Sequence, residues 1–262
     1  VIRALDSSPG FKISIQALST KEHAMQIEDS VAFVSGANRG VGARFVVSLL
    51  EGGARKVYAA ARDCHAVATG DSRVVPVTLD VTDPGQVAQA AAVASDVTLL
   101  INNAGINRLE RAILPRDDTA ARAEMEVNYF GTLGMCRAFT PALIANRGAV
   151  VNMLSILARV GLPMMGSLCA SKAAALRMTE CLRAELAQHH VRVLGVLPGA
   201  IDTDMSRDFP PPKLSVAEVV DAVFAALAHG PDEVYVGAMA QGVNAGLAAD
   251  RDAVQKQFAG YL

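Results

Sequence analysis

An apolar run at 31–34 leads into Ser35-Gly36-Ala37-Asn38-Arg39-Gly40-Val41-Gly42, and a helix-like stretch follows at 43–50. Glycines at 36, 40 and 42 allow a tight turn and leave backbone N–H groups open to a pyrophosphate at a helix N-terminus. Set between a strand and a helix, such a turn is a dinucleotide-binding signal; in an irregular loop the same glycines would only make turns. Its spacing is G-x-x-x-G-x-G rather than G-x-G-x-x-G. The residue after the second strand then chooses the dinucleotide. A carboxylate about 20 residues past the glycines accepts from a ribose 2′-OH and selects NAD. Here the second apolar run ends Ala59-Ala60-Ala61-Arg62, with Ala61 at the acid position, and Arg39 precedes the second glycine. Two guanidinium groups suit a 2′-phosphate. NADP(H) is therefore expected over NAD(H), with Asp63 as the ribose acid if the register slips by one place.

Further along stand Leu79-Asp80-Val81, Asn102-Asn103-Ala104-Gly105, Asn128, Ser155, Ala170-Ser171-Lys172-Ala173-Ala174 and Pro198-Gly199 with Thr203. In this order, and with the glycine spacing above, the chain resembles the short-chain dehydrogenase/reductase family over roughly residues 28–240. That resemblance implies cofactor contacts from Gly36, Asn38, Arg39, Gly40, Val41, Gly42, Arg62, Asp80, Val81, Asn102, Ala104 and Gly105. It also implies contacts from Lys172, Pro198, Gly199 and Thr203. It implies a catalytic set of Asn128, Ser155, Lys172 and a tyrosine, and assembly as a homodimer or homotetramer.

Reduction of a ketone needs hydride at carbon and a proton at oxygen. In the family a Tyr phenol moves the proton, a Lys four residues later lowers the Tyr pKa and holds the nicotinamide ribose, and a Ser bonds the substrate oxygen. Spacing of i, i+4 puts Tyr and Lys on one helix face. Counting back four from Lys172 reaches Leu168, and counting forward thirteen from Ser155 reaches the same residue. Leucine carries no transferable proton, and losing general acid–base help costs about 10²–10⁴-fold. Positioning of donor and acceptor would survive.

Three readings follow: an active reductase altered at Leu168, an enzyme with another proton source, or a non-catalytic NADP(H)-binding sensor or scaffold. The other source would be water held by Ser155 and Lys172, or Cys169. Adjacent helical residues point ~100° apart, which disfavours Cys169 and likewise Tyr129 beside Asn128. Taken alone, Ser155 would be a turn former, Lys172 a solvated helix residue and Asn128 a partner for backbone groups at a helix irregularity. Their shared spacing favours the reductase.

The elements needed to position these residues can be read from apolar periodicity. Runs at 31–34, 57–61, 74–79, 97–101, 149–153, 191–197 and 234–236 are apolar on both faces, as strands of a covered parallel sheet are. Helical patterns lie at 43–50, 84–94, 122–145, 172–188, 216–228 and 248–258. Asp83 stands at an N-cap position with Pro84 at the first helical residue. The 122–145 stretch holds Gly131, Gly134 and Pro141, which invite a bend. The expectation is a single-domain Rossmann fold over 28–262, a doubly wound seven-stranded parallel sheet with helices on both faces. Residues 1–27 are expected to be a flexible N-terminal extension.

Composition narrows the functions available. The chain has 262 residues, 52% hydrophobic and 19% charged, with formal net charge −2 and no Trp. That describes a globular core and gives no electrostatic or stacking case for nucleic acid. Cys64, Cys136, Cys169 and Cys181 make no C-x-x-C pair, so free thiols in a cytoplasmic protein are expected and a metal site is not. No apolar run reaches the ~18 residues of a membrane span. Apolar residues at 156–167 and 204–214 flank the expected site, so the substrate is expected to be a hydrophobic ketone or aldehyde, or its alcohol.

Overall fold

The computed structural model describes residues 24–115 and 117–261. Most of the expected N-terminal extension, residues 1–23, lies outside them. Residues 24–27 join the body of the protein: Met25 N–H donates to the Leu227 carbonyl at 2.9 Å, and Ile27 packs on the core.

Seven strands form one parallel sheet: β1 (Val31–Ser35), β2 (Lys56–Ala61), β3 (Val74–Thr78), β4 (Leu99–Asn102), β5 (Ala149–Met153), β6 (Arg192–Pro198) and β7 (Glu233–Val236). Their order is β3-β2-β1-β4-β5-β6-β7. The chain reverses its direction of growth between β1 and β4, and the crevice beyond the carboxyl ends of those strands is where ligands bind in such sheets.

Side chains alternate across each strand, which explains runs apolar on both faces. Ala32, Val34 and Ile101 meet helices α1 (Gly40–Glu51) and α6 (Val216–His229) on one face. Val31, Phe33, Leu100 and Val150 meet α2 (Pro84–Val93), α4 (Thr132–Ala145) and α5 (Gly166–Ala187) on the other. Phe33, Phe45, Phe139, Leu49 and Leu143 are among the fully buried side chains. Burial of each contributes about 1.5–3 kcal/mol. Asp83 caps α2 as its position suggests, accepting from Gly85 and Gln86 N–H with Pro84 at the first turn.

The 122–145 pattern resolves into three pieces. Helix α3 (Thr119–Met125) runs into a π-helical turn at Glu126–Gly131, and α4 continues from it. Gly131 sits against β3's exit: a Cβ there would come within 2.8 Å of the Val81 side chain. Helix α5 begins six residues before the expected 172, so Leu168 lies within it. The C-terminal pattern is two helices, α7 (Ala238–Ala249) and α8 (Arg251–Ala259). Phe258 folds back on the chain's own core with Ile156, Val160, Ala240 and Val243. Among the described residues, no helix is long and apolar enough to cross a membrane.

Candidate active site

A cavity of about 1460 Å³ opens at the carboxyl ends of the strands. It exceeds the usual 300–1,000 Å³ of a small-ligand pocket, leaving room for a dinucleotide beside a substrate. At one end is the glycine turn. Gly36 and Gly40 have φ of 66° and 55°, the left-handed region that glycine enters without strain. An added Cβ on Gly42 would fall 2.0 Å from the Gly36 carbonyl oxygen, so the turn closes only with glycine there. Helix α1 starts beneath with no side-chain cap and no acid in its first turn. Its first N–H groups and the positive end of its dipole suit a phosphate. That is the cradle the dinucleotide's pyrophosphate requires, and these residues fit it.

Asn38, Arg39 and Val41 line the cavity, as do Arg62, Asp80 and Val81. Arg39 Nη1 and Asp204 Oδ2 form a solvent-exposed ion pair at 3.2 Å. Asp204 is held below the usual carboxylate range by Arg207 first, with Arg39 contributing. Asp80 accepts from the Thr82 N–H and hydroxyl, which lower its pKa, with Arg62 adding a smaller pull. Asp63 accepts from the His65 N–H at 3.0 Å, capping a short 3₁₀ turn.

Ala104, Gly105, Pro198, Gly199 and Thr203 also line the cavity, whereas Asn102 does not. The Asn102 side chain turns into the protein and donates to Asn152 Oδ1 at 2.9 Å and to the Cys136 sulfur. It ties β4 to β5 beneath the site. Its neighbour Asn103 faces the turn, with Nδ2 donating to the Ser35 and Gly36 carbonyls at 3.1 Å each. The Ser35 hydroxyl receives the Asn103 and Ala104 N–H groups. Asn103 and Ser35 therefore build the turn, roles the spacing did not reveal; the adjacent Asn-Asn doublet was the available signal.

The other end of the cavity is built from β5, the π turn and α5. Ser155, Leu168 and Lys172 line the cavity together. Ser155 accepts from the Leu157 N–H at 3.1 Å, capping the turn that follows β5. Lys172 Nζ donates to the Met153 carbonyl at 2.8 Å. Burial pulls its pKa down to about 8, against an upward pull from the Glu124 carboxylate. Asn128 lies behind the cavity wall, 1% exposed. Its Oδ1 accepts from the Ile106 N–H, and its Nδ2 donates to the Ile106 carbonyl and the Ser171 hydroxyl. It fixes the 103–107 loop against α5.

Leu168 is 7% exposed and holds the place one turn before Lys172. Cys169 does not line the cavity; its sulfur accepts from the Leu162 N–H, and burial raises its pKa. Tyr129 stacks edge-on with Phe130, away from the cavity lining. Apolar side chains complete the wall, including Leu157, Met165 and Phe209. Met239, Val243 and Phe258 extend it onto α7 and α8, beyond the two loops expected from sequence. Among the described residues, no cluster of His, Cys, Asp or Glu could hold a metal ion.

A glycine turn at the switch point of a seven-stranded parallel sheet, with serine and lysine across one cavity, defines a Rossmann-fold oxidoreductase. The short chain dehydrogenase family model matches residues 30–213, and the chain belongs to that family. It is 62% identical to a short chain dehydrogenase from Burkholderia cenocepacia J2315 solved in complex with NADP. That likeness has a TM-score of 0.87 and covers 89% of this chain and 99% of that one. Galactitol 2-dehydrogenase (L-tagatose-forming) of Cereibacter sphaeroides is 36% identical over 69% of this chain and 75% of its own length. Dehydrogenase/reductase SDR family member 7B of Bos taurus is 40% identical over 50% of this chain, a match spanning 41% of that protein.

Proposed function

We propose that this chain binds NADP(H) and interconverts an apolar ketone or aldehyde with its alcohol. The observation that carries the reading is the joining of Arg39, Arg62, Ser155 and Lys172 by one continuous cavity. NADP in the Burkholderia relative supports the cofactor, and the absence of a carboxylate at Ala61 agrees with it.

Bound NADPH supplies the hydride. The chain's own residues do the rest. The glycine turn and α1 N-terminus hold the pyrophosphate, and Arg39 and Arg62 hold the 2′-phosphate. Pro198, Gly199, Thr203 and Lys172, which line the same cavity, would hold the nicotinamide end. The Ser155 hydroxyl donates to the substrate oxygen, and Asn128 keeps the loop and α5 in register. Apolar side chains from the 156–165 segment, the 204–212 segment and the C-terminal helices exclude water and take an apolar substrate. Because Leu168 offers no proton, turnover is slow by the standard of a site with a phenol there.

A second reading, a non-catalytic NADP(H)-binding sensor or scaffold, rests on Leu168 alone. Titration with NADPH and NADH, followed by NADPH oxidation over a panel of apolar ketones and aldehydes, separates the two. The reductase binds NADPH more tightly and oxidises it when a carbonyl is supplied. Binding without oxidation, here and in Leu168→Tyr, favours the sensor, and no binding at all sinks both. Assembly into a homodimer or homotetramer, which membership of the family implies, would be measured by light scattering.

A further inference from the structure

A reductase must protonate the oxygen it creates, and Leu168 removes the phenol that would do so. Few proton-bearing groups surround it. The Ser155 hydroxyl accepts from the Leu157 N–H and keeps its own hydrogen to donate to the substrate oxygen, but an aliphatic hydroxyl is too weak an acid to give that hydrogen up. The Cys169 sulfur is turned to Leu162, and Tyr129 and Tyr235 lie outside the cavity lining. Tyr261 reaches the cavity on the C-terminal segment, packed against Phe258. Lys172 lines the cavity from the same helix as Leu168, one turn on, with its Nζ fixed on the Met153 carbonyl.

Helix α3, which packs on α5, carries a buried charged side chain. Glu124 on α3 is fully buried. Its Oε1 accepts from the Arg108 N–H at 2.5 Å, and its Oε2 is buried without a hydrogen-bond partner. A buried carboxylate is costly unless an opposite charge compensates it. One helical turn on, Asn128 reaches Ile106 and Ser171, the residue before Lys172. A Cβ at Gly105 would lie 3.2 Å from Asn128 Oδ1 and 3.7 Å from Lys172 Nζ, so loop, asparagine and ammonium meet in one small volume. Glu124 is the charged group that opposes the effect of burial on Lys172, and it also acts on Cys169 of the same helix.

We propose that Glu124 is a positioning residue that keeps Lys172 in its ammonium form, and that Lys172 Nζ supplies the proton a phenol at position 168 would have given. This rests on the reductase reading above. In the reducing direction the carbonyl carbon accepts hydride from NADPH, and the C=O π pair becomes a lone pair on oxygen. That oxygen takes a proton from Lys172 Nζ, leaving a neutral amine, which recovers a proton from solvent through the cavity. The sum is carbonyl, NADPH and one proton giving alcohol and NADP⁺.

The test begins with the cofactor-free protein. The Lys172 side-chain resonance, assigned with Lys172→Arg, is followed by NMR against pH. In the unaltered protein it titrates well below an ordinary lysine. In Glu124→Gln the midpoint falls further, by about a tenfold loss of proton affinity, and Glu124→Asp restores most of it. Single-turnover NADPH oxidation with an apolar ketone then loses rate on the alkaline side at the same midpoint, and the loss moves to lower pH in Glu124→Gln. An ordinary lysine midpoint in the unaltered protein overturns the proposal without any variant. An unmoved midpoint in a folded Glu124→Gln overturns the role of Glu124. A rate profile that ignores the Lys172 midpoint overturns proton delivery by Lys172. No oxidation of any carbonyl, here or in Leu168→Tyr, overturns the reductase reading and proton delivery with it, while the NMR arm still decides the Glu124–Lys172 coupling.

Discussion

Lys172 Nζ donates a 2.8 Å hydrogen bond to the carbonyl oxygen of Met153, clamping α5 to the end of β5. The clamp holds the amine at the cavity with Leu168 one turn away on the same helix. A phenol at 168 would find a cation beside it, and a nearby cation favours phenolate. Leu168→Tyr should therefore raise NADPH oxidation by about 10²–10⁴-fold, read as kcat with an apolar ketone, with NADPH affinity changed little. Equal or slower turnover in the Tyr form would show that the site has been rebuilt around another donor.

In the proposed reading, Arg39 and Arg62 choose the cofactor. Charge-assisted hydrogen bonds contribute about 1.5–3 kcal/mol each. Arg62→Ala should thus weaken NADPH about 10–100-fold while leaving NADH within a few-fold, measured by calorimetric titration. The Arg39–Asp204 pair is exposed on both sides and worth at most ~1 kcal/mol. Asp204→Asn should accordingly change NADPH affinity by less than about fivefold. Parallel losses for both cofactors in Arg62→Ala would place that guanidinium away from the 2′-phosphate.

Two glycines make a paired test of the turn. Gly42→Ala drives a Cβ into the Gly36 carbonyl, backbone against backbone, and should lower stability by at least about 1–3 kcal/mol and abolish NADPH binding. Gly134 lies within α4, where an added Cβ meets nothing within 4 Å. Gly134→Ala should stabilise by about 0.5–1 kcal/mol. Thermal unfolding of both variants checks the contrast, and a neutral Gly42→Ala would remove the steric account.

These contrasts show which features were legible in the residues. Strands apolar on both faces and the Asp83-Pro84 cap depend on local periodicity and short-range hydrogen bonding, so sequence displays them directly. The start of α5 was hidden because Gly166 and Ser167 are weak helix formers. They are helical through tertiary contacts, Ser167 to the Glu110 carbonyl and Gly166 pressed on Ala112. The π turn carrying Asn128 was visible only as a helix with too many glycines, because Val81 supplies the reason for Gly131. The inward turn of Asn102 is set by Asn152 and Cys136, distant in sequence. Glu124 carried no signal of its burial in the sequence, because a glutamate is ordinarily a surface residue of a helix.

Burial holds the folded-state pKa of Lys172 at about 8, whereas in the unfolded chain it sits at the lysine value of 10.5. Between these the unfolded state binds more protons, so stability rises with pH there. The stabilising contribution is complete above the unfolded value and is lost as pH falls through about 8. Lys172→Met keeps a similar volume, forfeits the Met153 hydrogen bond by a fixed amount and has no proton to exchange. The stability difference between Lys172→Met and the unaltered protein should therefore favour Met most below pH 8. It should shrink as pH rises toward 10.5, by on the order of 1–3 kcal/mol in total. In melting temperature that is about 2–4 °C per kcal/mol for a chain of this size. Other alkaline titrations occur in both proteins and cancel in the difference. A difference that stays flat across this window would mean that Lys172 is solvated like a surface lysine, and that neither burial nor Glu124 tunes it.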